Sequence, residues 1–565
     1  MTIKDLKQKV AEKSAAIFKK PAAALSAAAA VAAVAAILLF AGRSQVFSGI
    51  FKDQSGLAMV REGKAEAVKK EGARRETLRV YTNDATGMTN PAYAVSFGDA
   101  AVSSAIFEPL MRRDKDGSLV PVLAKKVQVS GDGTTYTIQL KKGLGFSDGT
   151  PVTAQDAAFS IAAMCAVERE ETAYQNLAGY QEFSQGTVPM PEGVKTVGEL
   201  ELELVFDRPS PDNLAILETR IQKMPDNTSA GTIAALQQIA MSGVGTGPYV
   251  KTDTPEGSGM RLAASPNYRG KIRDIKTVEF VAYGTYEMGD AIEAGGIDVA
   301  FFSSDSAFFD LLFDGKQYTI YEKPLLNLYF LSMNRNNQYL YIPQVRQAMA
   351  LSIDRDEYAF GGLSKHLVKA DGIAPEGSIL VGDEPLKTDE KKAKELIEGA
   401  NERYGHLKKR LVLPILVGNK VQEELAKNVK SQLKKIDLTV DIEPMDQNRY
   451  LQQVYMLQDF DLILSGSAGI HKTSFYETLA TDMQGLPIAC NSRELDEAIA
   501  ALENSYSPAA VNAAWKKLNT VCNRQVPVIP LARPKLYLAV SADLSGYRIN
   551  QYDDFFENIQ EIRVK

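Results

Sequence analysis

Cysteine, histidine and tryptophan are scarce in this chain of 565 residues, which has three cysteines, three histidines and one tryptophan. No two cysteines form a Cys-x-x-Cys pair, and the histidines are widely separated in the sequence. Metal sites built from closely spaced ligands are therefore not expected, and the sequence predicts no resident metal and no cofactor. Cys165, Cys490 and Cys522 are predicted to be buried free thiols; a Cys490–Cys522 disulfide in an oxidising compartment is the alternative.

Two further features exclude classes of function. The sequence contains no Gly-x-x-x-x-Gly-Lys-Ser/Thr phosphate loop, so the chain is not expected to be an ATPase. The net charge of −6 and the pI of about 5.5 argue against nucleic acid as a partner, because nucleic-acid-binding domains are usually basic. The composition is that of an ordinary globular protein. The length predicts roughly two to four domains or one large split architecture.

The N-terminal segment is basic and then apolar. Lysines outnumber acidic residues in segment 1–20, and residues 21–42, PAAALSAAAAVAAVAAILLFAG, carry no charge before Arg43. About 20 apolar residues span a bilayer, and the lysine excess predicts that segment 1–20 stays in the cytoplasm. Residues 21–43 are therefore predicted to be a transmembrane anchor or a signal sequence, with a soluble Ala-rich helix as the alternative. Residues 44–75 are predicted to be a charged spacer that precedes an extracytoplasmic body.

The sequence GFSDG at 145–149 has the Gly-x-Ser-x-Gly spacing of a serine hydrolase nucleophile. Such a nucleophile requires a buried strand that ends at the serine and a helix that starts directly after it. Here a Thr-Pro pair delays the next helix until Thr153, whose capping partner is Asp156, and the Asp-Gly pair is typical of a tight turn. Ser147 is therefore predicted to lie in a turn, and no catalytic residue is predicted.

Strand-like and helix-like segments alternate from about residue 76 onward, which predicts an α/β fold. Four stretches then occur in a characteristic order: IFEPLMRRDKDGSLVPVLAKKVQVSGDGTTYTIQLKKGLGFSDGTPVTAQDAAFS, GTGPYVKTDTPEGSGMRLAASPNYRG, LSMNRNNQYLYIPQVRQAMALSIDRDEY and VPVIPLARPKLYLAV. Together they resemble the family 5 extracellular solute-binding proteins, the oligopeptide- and dipeptide-binding components of ABC importers. The resemblance covers about residues 76–565.

The resemblance implies an α/β, periplasmic-binding-protein-like fold of type II (class C), with two lobes, a hinge cleft between them and one lobe subdivided. The first lobe would comprise residues 76–327 and 525–565, with residues 103–245 as its extra subdomain. The second lobe would comprise residues 328–524. The ligand would lie in the cleft, and hinge closure around it would be the signal that a membrane permease reads.

The family's pattern implies ligand-binding residues in three segments: the loop after the first strand, the strand that crosses between the lobes, and the loop after a later strand. They are Asn90, Tyr93 and Val95 in the first segment, Tyr329 and Asn334 in the second, and Ser465, Gly466, Ser467, Ala468 and Ile470 in the third. For a tyrosine such as Tyr93 ordinary packing is the alternative, and for Asn334 it is a purely structural role at the end of a strand.

The third segment departs from the family's pattern. Peptide-binding relatives have Gly-Trp-x-Ala-Asp there, and the aspartate pairs with the ligand's ammonium group. In this chain Ser467 replaces the tryptophan and Ile470 falls near the aspartate position, while the nearest aspartates are Asp461 before the loop and Asp482 after it. An unpaired buried cation costs several kcal/mol. We therefore expect that the protein does not hold a free α-amine in the usual way and binds a blocked peptide or a different ligand.

The function that the resemblance implies is that of an extracytoplasmic substrate-binding protein rather than an enzyme. It would act as a monomer, capture a peptide or other small solute, and deliver it to ABC permease subunits in the membrane. The alternatives are a non-peptide ligand, such as a metal chelate, haem or an oligosaccharide, and a role as an envelope sensor. Because Arg43 rather than cysteine follows LLFAG, a lipid anchor at that point is excluded, and the apolar segment itself would be the tether.

Overall fold

The structure is a computed structural model. It describes residues 75–82, 89–94, 96–167, 172–225, 243–252, 260–283, 285–306, 308–314, 317–356, 358, 361–405, 410–467, 472–481, 488, 490–548, 552 and 555–565. The predicted cytoplasmic segment 1–20, the predicted membrane segment 21–43 and all but the last residue of the predicted spacer lie outside these ranges. None of the helices within the described ranges combines the length and apolar composition that crossing a membrane requires.

Strands and helices alternate along the described chain. The strands are β1 Thr77–Tyr81, β2 Met111–Arg113, β3 Leu119–Pro121, β4 Ala124–Val129, β5 Thr135–Leu140, β6 Val194–Gly198, β7 Glu201–Val205, β8 Tyr249–Thr252, β9 Met260–Ala264, β10 Thr277–Val281, β11 Val299–Phe302, β12 Tyr318–Pro324, β13 Leu328–Met333, β14 Leu367–Lys369, β15 Arg410–Leu416, β16 Thr439–Met445, β17 Leu462–Ser467, β18 Val528–Ser541, β19 Leu544–Ser545 and β20 Arg563–Val564. The α-helices are α1 Phe97–Ile106, α2 Ala154–Cys165, α3 Thr172–Gln175, α4 Tyr180–Ser184, α5 Thr285–Glu293, α6 Phe309–Asp314, α7 Pro343–Ser352, α8 Glu390–Tyr404, α9 Lys420–Lys434, α10 Gln447–Tyr450, α11 Thr473–Glu477, α12 Arg493–Glu503 and α13 Pro508–Gln525. Short 3₁₀ helices span Pro211–Glu218 and Phe555–Glu561, and a π-helical turn spans Leu451–Met456.

One long strand, β18, joins the two halves of the main mixed sheet. The sheet has the order β17-β13-β18-β11-β1-β10-β9-β8, and β12 and β14 also pair with β18. The first part of β18 pairs with β13 and β14, and its last part pairs with β11 and β12. Its sequence VIPLARPKLYLAVS is apolar almost throughout, as expected for a strand buried on both faces. The predicted lobe boundaries, at 327/328 before β13 and at 524/525 before β18, stay a prediction.

A separate four-stranded sheet, β4-β5-β7-β6, lies within the predicted subdomain 103–245. Helix α2 packs on it, and its start confirms the predicted cap: the Asp156 carboxylate accepts hydrogen bonds from the Thr153 backbone N–H and hydroxyl, each at 2.8 Å. The predicted turn at Gly149 is also present, with a φ of +86° and a hydrogen bond of 2.9 Å from its N–H to the carbonyl of Phe146. Local sequence therefore determines this part of the fold.

Between β14 and β17, strands β15 and β16 pair in parallel and are covered by amphipathic helices. Helix α9 buries Leu425, Val429 and Leu433, which are spaced four residues apart and so share one face. The helix is capped by Asn419, whose side chain accepts a hydrogen bond from the N–H of Gln422. These elements form a hydrophobic core of their own with β13 and β17.

The largest hydrophobic cluster crosses the predicted boundary between subdomain 103–245 and residues 328–524. It contains Ile216 and Leu217 from the first region and Leu380, Tyr476 and Leu518 from the second. The two regions are therefore packed against each other at this place. The three cysteines are buried free thiols, as predicted.

Candidate functional site

A cavity of about 440 Å³ lies where the two regions meet. One wall comes from the loop 89–94, helix α3 and the 3₁₀ helix Pro211–Glu218, and the opposite wall comes from segment 374–380, helix α11 and helix α13. Its volume falls within the range of roughly 300–1,000 Å³ that is typical of small-molecule sites. This position and size make the cavity the candidate ligand site.

Aromatic side chains form the wall on the side of α11 and α13. Tyr476 and Trp515 meet edge to face, with ring centroids 4.9 Å apart, and Phe475 contacts Tyr476 with centroids 5.1 Å apart. The Tyr476 hydroxyl donates a 2.9 Å hydrogen bond to the side-chain carbonyl of Asn519, whose amide donates to the carbonyl of Leu380. Burial raises the pKa of the Tyr476 phenol well above its usual value, so the hydroxyl stays a donor. The aromatic rings are therefore an apolar part of this wall, and the Tyr476 ring is held in place by hydrogen bonding through Asn519 of α13 to Leu380.

A carboxylate from the opposite wall reaches helix α11. Asp212 accepts hydrogen bonds from the Thr473 N–H, at 3.1 and 3.2 Å to its two oxygens, and from the Thr473 hydroxyl at 2.7 Å. Burial raises the pKa of the Asp212 carboxyl above its usual value, although the Thr473 hydrogen bonds and the charges of Lys472 and Arg208 oppose this. Asp212 thus connects the two walls and brings negative charge to the cavity.

Apart from Lys472, the remaining charged groups of the cavity wall are held in pairs. Arg113 contacts Glu218 at 2.9 Å, and Arg220 contacts Glu557 at 2.8 Å. Both arginines also donate to backbone carbonyls, Arg113 to Gly117 and Arg220 to Phe107. These arginines and Glu218 therefore keep fixed positions in the cavity wall.

The first predicted segment reaches the cavity, but through residues other than those predicted. The Asn90 side chain accepts a hydrogen bond from the N–H of Ala92 at 2.9 Å, which stabilises the turn, and Tyr93 packs against the hydrophobic core. Pro91 and Ala94 line the cavity. Val95 lies outside the described residues.

The second and third segments pair as neighbouring strands. In the β13–β17 pair Tyr329 stands opposite Gly466, and a Cβ added to Gly466 would lie 3.5 Å from the Tyr329 ring. Ser465 and Ser467 flank this position on β17 and stand opposite Phe330 and Leu328. Tyr329 is therefore adjacent to Gly466, which lies between Ser465 and Ser467. The next described residue after Ser467, Lys472, lines the cavity.

Asn334 has its side chain committed to the backbone. Its amide donates to the carbonyls of Phe460 at 2.7 Å and Gln458 at 3.2 Å, and its side-chain oxygen accepts from the N–H of Asn336. These bonds support the structural alternative, in which Asn334 ends strand β13. Ala468 and Ile470 lie outside the described residues, so the hypothesis about the missing aspartate stays a prediction.

The prediction missed Asp212 and the Tyr476–Trp515 pair. Ser210 followed by Pro211 does indicate the start of a helical segment, and the Ser210 hydroxyl indeed accepts from the N–H of Asp212. Nothing in the local sequence indicates that this segment meets Thr473, which is 261 positions away. The single tryptophan was the one composition signal that could have drawn attention to α13.

The described residues contain no arrangement typical of a serine hydrolase around Ser147. Its N–H donates to the carbonyl of Gly245 and its own carbonyl accepts from Asn267, as in a structural turn. The Nδ1 atom of His366 contacts the Ser304 hydroxyl and lies 3.8 Å from an Asp305 oxygen. A triad uses the two ring nitrogens for its two partners, which this cluster does not. No group of three or more His, Cys, Asp or Glu within the described ranges is placed to hold a metal ion.

Comparisons with known proteins confirm the resemblance. The family described as bacterial extracellular solute-binding proteins, family 5 middle, matches residues 118–482. The chain is 24% identical over 517 residues to the periplasmic murein peptide-binding protein MppA of Escherichia coli (strain K12). The aligned region covers 85% of this chain and 92% of MppA. It is 22% identical over 503 residues to the oligopeptide-binding protein AppA of Bacillus subtilis (strain 168). That aligned region covers 84% of this chain and 88% of AppA.

The fold is confirmed by a solved structure. The unliganded open form of the murein tripeptide-binding protein MppA superposes with a TM-score of 0.73 at 19% identity, covering 87% of this chain and 98% of that one. The described strands and helices are therefore those of the predicted α/β, type II, two-lobed fold.

Proposed function

This chain belongs to the family 5 bacterial extracellular solute-binding proteins, and we propose that it captures a peptide in the cavity and delivers it to a membrane permease. The observation that carries the proposal is the cavity of about 440 Å³, which has Asp212 on one wall and Tyr476 and Trp515 on the other. MppA and AppA are named for murein peptides and oligopeptides. A peptide offers both the charged ends and the apolar side chains that such walls would bind.

Within this proposal the ligand lies between the loop 89–94 and the wall formed by helices α11 and α13. Pro91 and Ala94 supply one contact surface. Of the other predicted residues, Tyr93 and Tyr329 would act indirectly, since each packs against a hydrophobic core.

The proposal also includes the location and mode of action. The family consists of extracellular solute-binding proteins rather than enzymes. We propose that segment 21–43 directs this chain across the membrane and tethers it there. The chain would then act as a monomer that performs no chemistry on its ligand.

Native mass spectrometry of the full chain, purified without refolding, tests the proposal because tightly bound ligands remain attached. The expected result is extra mass that fragments as a peptide, together with saturable binding when the stripped protein is titrated with a library of tri- to pentapeptides. A bound non-peptide solute, together with no binding from the peptide library, would contradict the proposal. A Trp515→Ala variant is expected to bind the library more weakly, since the substitution removes an aromatic wall of the cavity.

A further inference from the structure

Asp461, which directly precedes strand β17, does not replace the aspartate that the third segment lacks. Asp461, the nearest acid on that side, is buried, and its carboxylate accepts hydrogen bonds from the side chain of Asn337 and from the N–H of Val412 at 2.8 Å. Both bonds hold β17 to its neighbours. Asp461 is therefore committed to the fold, and a ligand cation needs another partner.

Asp212 contacts Thr473, which follows the third segment closely in the sequence. Thr473 donates hydrogen bonds to Asp212, and only two residues of the sequence separate it from Ile470, where the family's aspartate would fall. The Asp212 carboxylate comes from the opposite wall, because it belongs to the 3₁₀ helix Pro211–Glu218. A negative charge is thus present at this end of the cavity, although no residue of the third segment provides it.

The Asp212 carboxylate has capacity for a further donor. A carboxylate offers about four acceptor positions, and Thr473 supplies one N–H, shared between the two oxygens, and one hydroxyl. Among the described residues no lysine, arginine or histidine forms a salt bridge with Asp212, whereas the other acid of the cavity wall, Glu218, is paired with Arg113. Lys472 and Arg208 act on Asp212 only through their charges and without a salt bridge, and burial still disfavours its ionised form, so a cationic ligand group in direct contact would offset the cost of burial.

We infer that Asp212 binds the cationic amino group of the ligand, in place of the aspartate that the third segment lacks. The inference rests on the proposed peptide-binding function and names the group that selects among peptides. The same carboxylate accepts hydrogen bonds from Thr473. Recognition of the ligand's charge and the contact between the two walls therefore depend on one side chain. The rival outcome is the expectation from the sequence that the ligand is a blocked peptide.

The test compares two libraries of tri- to pentapeptides, one with free amino ends and one N-acetylated, on the full chain. The wild type is expected to prefer the free library by about 10- to 100-fold, the range for a hydrogen bond to a charged group. Asp212→Asn, which keeps the shape and one acceptor for Thr473, is expected to reduce this ratio to about one. Thr473→Ala removes the hydroxyl contact but not the charge of Asp212. It should therefore weaken the binding of both libraries equally and leave their affinity ratio unchanged. Glu218→Gln removes a cavity carboxylate that is already paired, and it should also keep the ratio.

Each other outcome contradicts a defined claim. Equal binding of the two libraries by the wild type, or a preference for the acetylated one, would overturn the inference and leave peptide binding intact. An Asp212→Asn chain that still prefers free amino ends would show that the carboxylate serves only as a contact between the walls. Binding of neither library would overturn the proposed function and this inference together. Melting curves verify folding, and Asp212→Ser replaces Asp212→Asn if the latter does not fold.

Discussion

The rings of Tyr476 and Trp515 meet edge to face across the wall of the cavity, with centroids 4.9 Å apart. Helix α13 positions the indole, and the hydrogen bond from the Tyr476 hydroxyl to Asn519, on the next turn of that helix, fixes the phenol. Because Trp515 is the only tryptophan of the chain, its fluorescence reports on this one place.

Ligand binding is expected to change the fluorescence of Trp515 in a saturable way. A peptide in the cavity replaces water next to the indole, so the emission maximum should shift to shorter wavelength. Titration of the stripped protein with a binding peptide checks this. Trp515→Phe should still bind, as measured by calorimetry, but without the signal. Binding that leaves the wild-type emission unchanged would place the ligand away from this wall.

Gly245→Ala is expected to destabilise the protein strongly. A Cβ at Gly245 would lie 2.0 Å from the carbonyl oxygen of Ile106 at the end of α1, so backbone must move. Overpacking of this kind costs about 1–3 kcal/mol or more. Urea unfolding monitored by circular dichroism measures the loss. Gly131→Ala is the control, since a Cβ there meets nothing within 4 Å, and its effect should stay within about 0.5 kcal/mol. Equal stabilities for the two variants would contradict the close packing at Gly245.

The features that sequence reasoning predicted correctly have local causes. The cap formed by Thr153 and Asp156 spans three residues, and the turn at Gly149 needs only a glycine at positive φ. The alternation of strands and helices likewise follows from patterns within single segments. The overall fold was predicted through the family resemblance, which sums many such local features.

The cavity could not be predicted because its walls come from distant parts of the chain. The contact between Asp212 and Thr473 depends on how the two regions pack, and neither segment carries a local signal for it. At Asn334 the family's pattern predicts a ligand-binding residue, but the side-chain amide donates hydrogen bonds to the backbone carbonyls of residues 458 and 460. Composition does identify Trp515 as unusual, but its helical spacing predicts only a core residue.

Ser147→Ala is expected to leave the protein folded and as stable as the wild type, or more stable by about 1–2 kcal/mol. The Ser147 hydroxyl is buried and has no hydrogen-bond partner among the described residues, so removing it relieves an unpaired polar group. Ser160→Ala is a matched control, because that buried hydroxyl donates to the carbonyl of Asp156 and accepts from the N–H of Gln222. It should cost about 1–3 kcal/mol. Hydrolysis of p-nitrophenyl esters that Ser147→Ala abolishes would contradict the turn role.

Asp298 is expected to make stability depend on pH between about pH 4 and 6. Its carboxylate is fully buried, contacts Arg75 and accepts a 2.7 Å hydrogen bond from the N–H of Arg79. Burial raises the pKa of this carboxyl to about 6, although Arg75 opposes the rise. The usual value of about 3.9 applies in the unfolded chain. Between the two values the folded state holds a proton that the unfolded state has lost, so the stabilising contribution is complete below about pH 4 and is lost as the pH rises through about 6.

Replacement of Asp298 by asparagine isolates this contribution. A difference of about two pKa units corresponds to about 3 kcal/mol. The free energy of unfolding of the wild type minus that of Asp298→Asn should therefore fall by about 3 kcal/mol between about pH 3 and pH 7. Urea unfolding of both proteins across this range measures the difference, which cancels the titration of groups that the two proteins share. A difference that rises with pH would mean that Arg75 lowers the pKa of Asp298 more than burial raises it.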